Sequence, residues 1–313
     1  MFKQLHLIYR NSPAPLRKVI VSLSPVARAV LAPFISHVDI GGARMFLDHR
    51  DNACFRYLRW GSQYEHVTVS ALRAIAGRPG RKVFFDVGAA YGFYSLALAG
   101  VASERLERIF SFEPDPRCIH ALRKSIQFNG FDRVVAEQMV VGDVDGKAAL
   151  LTSNRASTSN RTFESEQGGF KSDQSISVQA TSLDSYFSCP TGDFAALFKI
   201  DVEGNEARVL RGARGILEKA SGWAIQFEFF PVGMREVHQP RSDLLALLGE
   251  LAPDWCYVER PAQMEKLAGL PGLLADMDTY SDDPDYRGLG TAANYIIGKG
   301  MPELGDAAPA SAL

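Results

Sequence analysis

Carboxylates recur at the ends of short apolar runs along this chain. Asp86 follows Val83-Phe84-Phe85 and opens the glycine loop Asp86-Val87-Gly88-Ala89-Ala90-Tyr91-Gly92. Glu113 follows Ser111-Phe112, Asp201 and Glu203 follow Phe198-Lys199-Ile200, and Glu228 follows Gln226-Phe227. The loop after Asp86 resembles a dinucleotide loop with an acid in place of the first glycine. A carboxylate there would repel a pyrophosphate, which needs close backbone approach and a helix N-terminus. It suits a ligand with positive charge, such as the ammonium and sulfonium of S-adenosylmethionine. Gly88 lets backbone come close to a ligand, Gly92 permits tight helix packing, and Ala89, Tyr91 and Phe93 complete the expected cofactor loop. An ordinary strand-turn-helix is the plainer alternative.

Glu113, with Pro114 beside it, is placed to accept two hydrogen bonds from a ribose diol. Asp115 reads as a helix N-cap. Gly142-Asp143 is a candidate for the adenine edge, and equally a simple turn. The run Lys199-Ile200-Asp201-Val202-Glu203-Gly204-Asn205-Glu206 gathers three acids at a strand end. Early helical acids are expected from the macrodipole, so Glu206 reads as structural. Asp201 is the first candidate for a base acting on a hydroxyl, with Glu203 and Glu228 next. A divalent metal on these oxygens is a lesser alternative.

These residues need a frame that brings strand ends together. Val83–Val87, Arg108–Phe112, Val134–Val140, Ala195–Ile200, Trp223–Phe229, Trp255–Glu259 and Asn294–Ile297 read as seven strands. Gln63–Ala76, Gly92–Ala99, Asp115–Asn129, Asn205–Lys219 and Ser242–Leu251 read as helices. Alternation of this kind implies a doubly wound, mostly parallel sheet with helices on both faces. The last strand follows a loop and is expected to run antiparallel at the end of the sheet. Ala148–Leu151 and Ser175–Ala180 can pair as a hairpin around a long polar loop, residues 152–174. That loop and residues 261–290 are expected on the side of the carboxyl strand ends as lids. Asp276, Asp278, Asp282, Asp283 and Asp285 read as a solvated loop, without the spacing of a calcium site.

The chain has 313 residues, 46% hydrophobic and 22% charged, with a formal net charge of -2. That balance suits a globular enzyme and gives no electrostatic reason for a nucleic-acid partner. The four cysteines are far apart and show no metal or disulfide spacing, which suits reduced thiols in the cytoplasm. The first 38 residues carry Lys3, Arg10, Arg17, Lys18 and Arg28, and no acid precedes Asp39. Pro25, Arg28 and Pro33 break the apolar stretch, so it is neither a spanning helix nor a secretory signal. It reads as a helical arm packed on the core, or as a basic segment lying on the inner face of a membrane. The expected partition is an arm over 1–60, a catalytic domain over 61–300 and a flexible tail over 301–313.

At these residues the sequence resembles the FkbM family of S-adenosylmethionine-dependent methyltransferases. The carrying residues are Phe85–Tyr94, Phe112–Asp115, Thr181–Asp184, Lys199–Glu206, Val209–Ala213 and Phe227-Glu228, in the family's order. The resemblance implies a class I methyltransferase fold, Rossmann-like, and O-methylation of a hydroxyl on a sugar, glycolipid, polysaccharide or secondary metabolite. It also leads one to expect a His-Pro pair soon after the acid of the fifth strand. This chain has Glu228-Phe229-Phe230-Pro231, and the next histidine is His238. Two other readings stay open. A nicotinamide dehydrogenase is disfavoured by Asp86 and the missing first glycine, and a non-catalytic binding module by the intact acids.

Overall fold

A computed structural model describes residues 36–48, 51, 54, 57, 65–100, 105–152, 161–163, 174–281 and 292–304. Most of the N-terminal arm, most of the polar loop and the last nine residues lie outside these. In chain order, the first elements are β1 (His37–Ile40), β2 (Ala43–Phe46), α1 (His66–Ala76), β3 (Lys82–Val87), α2 (Phe93–Ala99), β4 (Leu106–Phe112), α3 (Pro116–Asn129), β5 (Val134–Glu137) and β6 (Met139–Gly142). Then come β7 (Gly146–Thr152), β8 (Arg161–Phe163), β9 (Gln174–Ser182), α4 (Leu183–Tyr186), β10 (Ala195–Ile200), α5 (Glu206–Gly212), α6 (Arg214–Lys219) and β11 (Gly222–Phe229). The last are α7 (Pro231–Glu236), α8 (Arg241–Leu251), β12 (Trp255–Arg260), β13 (Gln263–Lys266), α9 (Gly269–Met277) and β14 (Ala293–Lys299).

The central sheet has eight strands in the order β13-β12-β14-β11-β10-β3-β4-β5. From β11 to β5 it is parallel, and β12, β13 and β14 pair antiparallel. The doubly wound α/β class is as the alternating pattern implies, with one strand more than the seven expected. That strand, β13, is short and polar, so it carried no apolar signal. β14 does run antiparallel, but it lies inside the sheet between β11 and β12 instead of closing it.

Burial on both faces explains the strand sequences. Every residue of β3 is buried, as expected of a central parallel strand covered by helices on both sides. Alternate side chains point to opposite faces. Phe84, Leu197, Ala224 and Ile296 pack with α1, α2 and α3 on one side. Phe85, Phe198, Ile225 and Phe227 pack with α5, α6 and α8 on the other. Phe85 lies between Phe110 and Phe198, with ring centroids at 5.7 and 5.0 Å and planes tilted by 17° in both pairs.

The expected strand Val134–Val140 is in fact two. β5 pairs with β4, and after Gln138 the chain enters β6, which belongs to a second sheet of order β6-β9-β7-β8. No glycine or proline marks the break; only the change of partner does. The β7–β9 hairpin pairs antiparallel over Gly146–Thr152 and Gln174–Ala180, as its two apolar runs imply. The expected helix Asn205–Lys219 is split into α5 and α6 at Ala213.

The body of the fold reaches outside 61–300. The β1–β2 hairpin contributes Val38, Ile40, Ala43 and Met45 to the core. It is tied to α3 by Arg44 N to Asn129 Oδ1 at 2.9 Å and Phe46 N to Ser125 Oγ at 2.9 Å. At the other end Trp255 Nε1 donates to Met301 O at 2.8 Å, and Leu304 is buried. Among the described residues no helix is long and apolar enough to cross a membrane.

Candidate active site

Strand order reverses between β3 and β10, and a cavity opens there, at the carboxyl ends of β3, β4, β10 and β11. It encloses about 1070 Å³ including its open mouth. One wall is the backbone of the loop after β3. Gly88 has φ +75, and a Cβ on it would lie 1.9 Å from the carbonyl oxygen of Asp201. Glycine is required here because the β10 chain passes so close, held by Asp201 N donating to Val87 O at 3.1 Å. The amides of Gly88 and Ala89 both donate to Phe112 O, each at 3.0 Å. The loop shape is therefore set by the end of β4.

Glu113 completes that junction. One of its oxygens accepts from Ala90 N at 2.8 Å and the other from Asp115 N at 2.8 Å. A carboxylate has about four acceptor positions, so the two that remain can serve the cavity, which Glu113 lines with Ala89, Phe93 and Pro114. Burial pushes its pKa up to about 7, the neighbouring Asp115 charge adds to this, and the two amides offset part of it. Asp115 caps α3 through Arg117 N at 2.8 Å, as its position implies.

Asp86 is not at the mouth. β3 runs on to Val87, so Asp86 is a strand residue whose side chain turns under α2. It is wholly buried, accepts from Ser95 Oγ at 2.6 Å and Ser95 N at 3.1 Å, and does not line the cavity. Burial raises its pKa, with Lys199 pulling the other way. Tyr91 is also buried beneath the loop and donates to Asp51 Oδ2 at 2.8 Å. Gly92 has φ +81 and packs against Leu122, which a Cβ would approach to 2.2 Å.

Gly142 and Asp143 do not line the cavity either. Asp143 pairs with Arg208 at 2.7 Å and Arg211 at 3.1 Å, which fastens α5 to the second sheet. Burial works against its charge, but the hydrogen bonds and charges of Arg208 and then Arg211 hold its pKa below the usual carboxylate range. The residues just before it do face the cavity. Met139, Val140 and Val141, with Phe112 and Leu150, form an apolar wall on the Glu113 side.

The opposite end is acidic. Asp201, Glu203 and Glu228 come together there as their strand-end positions imply, and Glu65 joins them. Glu203 has φ +58 and Gly204 has φ +108, a sharp turn shaped from below by Glu206. Glu206 is buried and accepts from the amides of Val202 and Gly204, each at 3.2 Å, so its role is structural. The Glu228 carboxylate makes no hydrogen bond among the described residues. Its pKa lies well above the usual carboxylate range, first through burial and then through the charges of Asp201, Glu203, Glu206 and Glu65. His238 is exposed beyond α7 and does not line the cavity. Among the described residues no group of three or more His, Cys, Asp or Glu side chains is arranged to hold a metal ion.

Lys199 was not singled out by the sequence reading, although it lies in the most distinctive motif. Its register partners are Asp86 on β3 and Gln226 on β11. The buried ammonium donates to Gly88 O at 2.7 Å and lies 3.3 Å from Asp201 Oδ2 and 3.9 Å from Asp86 Oδ1. Burial opposes its charge, but Asp201 and Asp86 outweigh this and hold it above the usual lysine range. A lysine between apolar residues in a strand buried on both faces was the available signal, since such a charge must find a partner. Glu65 was missed too. It precedes α1, far from the motifs, and accepts a short bond from Tyr94 Oη.

Residues 86–251, more than half of the chain, match the family described as the methyltransferase FkbM domain. This chain belongs to that family. Solved structures with a similar arrangement include a methyltransferase FkbM from Methylobacillus flagellatus KT, at 19% identity and TM-score 0.40. That match covers 68% of this chain and 52% of the other, about half its length. A protein from Streptococcus mutans in complex with SAH is 11% identical, with 75% and 96% of the two chains covered and a TM-score of 0.40. A precorrin-6y C5,15-methyltransferase from Geobacter metallireducens is 11% identical, with 77% and 91% covered and a TM-score of 0.37. No curated relative matches the sequence. The residues that this member of the FkbM domain family places around its cavity are chiefly those of the matched span, with Tyr57 and Glu65 added from outside it.

If Glu113 receives hydroxyls, binding must draw on its charged form. A pKa near 7 then makes affinity rise with pH up to about 7 and level off above it, with proton release on binding below that point. Titration calorimetry with S-adenosylhomocysteine between pH 5.5 and pH 8 is expected to show this. Glu113→Gln should weaken binding by about 1.5–3 kcal/mol and remove the pH dependence. An unchanged affinity would take Glu113 out of the cofactor site.

Proposed function

We propose that this chain transfers a methyl group from S-adenosylmethionine to a hydroxyl of a sugar, glycolipid, polysaccharide or secondary metabolite, on the cytoplasmic side of the membrane. The observation that carries this reading is the division of one cavity into two chemistries. At one end an apolar wall stands beside Glu113, whose free acceptor positions suit a ribose diol; at the other, four carboxylates suit cationic groups and hydroxyl donors. The residues therefore fit the cofactor. Glu113 would hold the ribose, Met139 to Val141 would flank the adenine, and the acidic end would face the ammonium and sulfonium. Among the described residues Lys199 is the only basic side chain that lines the cavity, which argues against a pyrophosphate-bearing dinucleotide.

When bound, the cofactor supplies an electrophilic methyl carbon whose bonding pair leaves with sulfur. The chain must hold the acceptor oxygen in line with that carbon, and orientation alone can contribute about 7 kcal/mol or more. Asp201, fixed by Lys199, is suited to orient the hydroxyl by accepting its hydrogen bond. Glu228, with no hydrogen bond to its carboxylate among the described residues and with raised basicity, is suited to take the proton as the new C–O bond forms. Glu203 stands beside both on the tight turn and contributes charge.

Thermal denaturation tests the reading simply. S-adenosylhomocysteine should raise the melting temperature in the usual mass-action manner, and NAD should not. Stabilisation by NAD alone would move the chain to the dehydrogenase class.

A further inference from the structure

We propose that the outer face of α3, with the β1–β2 hairpin packed across it, docks on an anionic lipid bilayer. The chain as a whole carries a net charge of -2, yet α3 contains Arg117, His120, Arg123 and Lys124 and no acid. Its inward side chains are Cys118, Ile119, Ala121, Leu122 and Ser125. Its outward stripe is His120, Lys124 and Phe128, at the i, i+4 spacing, with Arg123 and Gln127 alongside. Phe128 is 56% exposed, and among the described residues the only other large hydrophobic side chain so open is Val144.

Cations and aromatic rings are interleaved on this face. The Arg44 guanidinium lies 4.8 Å from the Phe128 ring centroid, and Lys124 Nζ lies 4.1 Å from that of Phe46. The two rings meet edge to face at 5.4 Å. Arg44 is shared with Asp39 at 3.4 Å and Arg117 with Asp115 at 2.7 Å. Lys124 and Arg123 have no carboxylate partner among the described residues. An exposed aromatic tip beside cations, two of them without a carboxylate partner among the described residues, matches the boundary between acyl chains and anionic headgroups.

Two further features select the bilayer over other partners. The groove between hairpin and helix is lined by Ser36, Phe46, Arg117, His120 and Lys124, with one acid, Asp48. Ser36 lines this groove, and the 35 residues that precede it in the chain carry Lys3, Arg10, Arg17, Lys18 and Arg28 and no acid. A second copy of this chain would set like charges against each other. The groove also reaches the N-terminal end of α3, where Pro114 and Cys118 line the catalytic cavity. A docked molecule would hold that cavity beside the lipid surface, within reach of an amphiphilic acceptor.

Co-sedimentation of the full chain with vesicles tests this. Phosphatidylcholine vesicles containing phosphatidylglycerol should carry the protein down, and phosphatidylcholine alone should not. The double variant Lys124→Glu with Phe128→Ser should bind at least about tenfold more weakly, since one basic residue at an anionic surface contributes about fivefold. Its S-adenosylhomocysteine affinity should be unchanged, and Lys124→Gln alone should weaken binding about fivefold if the double variant folds poorly. Equal partitioning onto both vesicle types would overturn the proposal. So would equal binding by folded variant and wild type, which would leave the first 35 residues as the sole anchor. Self-association of the wild type lost in the variant would assign the face to a second copy instead.

Discussion

Glu228→Gln is expected to lower turnover by about 100-fold or more while leaving cofactor affinity close to wild type. The amide keeps the shape of the side chain but cannot accept a proton. The pH profile separates this role from that of Asp201. A base acts when deprotonated, so the wild-type rate should rise with pH through the elevated pKa of Glu228, above the usual carboxylate range. In Glu228→Gln that rise should vanish. Asp201→Asn is also expected to slow turnover by about 100-fold, but it should keep the rise and move it to lower pH. The reason is that the Asp201 charge is one of the causes that lift Glu228. The reverse pattern, with the rise lost in Asp201→Asn and kept in Glu228→Gln, would make Asp201 the base. Near-normal turnover in both would remove the acidic end from the chemistry.

Lys199→Met should cost about 3–5 kcal/mol of folding stability, as breaking a buried charge pair from one side does. Methionine fills similar space without the charge. Asp86 would then be left wholly buried with only Ser95 as a partner, and the Gly88 carbonyl would lose its donor. Denaturant titration measures the loss directly. Adding Asp86→Asn to Lys199→Met should recover part of it, because the uncompensated charge is gone and the two effects are coupled. A loss below about 1 kcal/mol, or strict additivity of the two substitutions, would show that the three-way contact does not hold the site together.

The sequence by itself determined the frame of this protein and most of the acids of its site. Short apolar runs ending in acids, separated by amphipathic helices, admit few arrangements besides a doubly wound sheet, because a strand buried on both faces needs helices on both sides. Glu113 and Asp201 directly follow the ends of β4 and β10, Glu203 lies two residues further on, and Glu228 lies near the end of β11; they share a cavity because these strand ends meet at one edge of the sheet. A position within the chain does not say where a side chain points. Asp86 and Glu228 each lie one residue short of a strand end, yet the packing of the elements around them buries Asp86 against Ser95 of α2 and leaves Glu228 on the cavity wall. Asp143 was ambiguous for a related reason: whether a turn acid meets a ligand or an arginine depends on a helix some 65 residues later. The break at Gln138 and the insertion of β14 inside the sheet are choices of pairing partner, which leave no local mark. The partners of Lys199 and the place of Glu65 were decided by tertiary structure. The lysine takes its meaning from acids on its own and a neighbouring strand. The glutamate enters the site only because α1 packs against α2, which brings Glu65 to Tyr94 at the cavity wall.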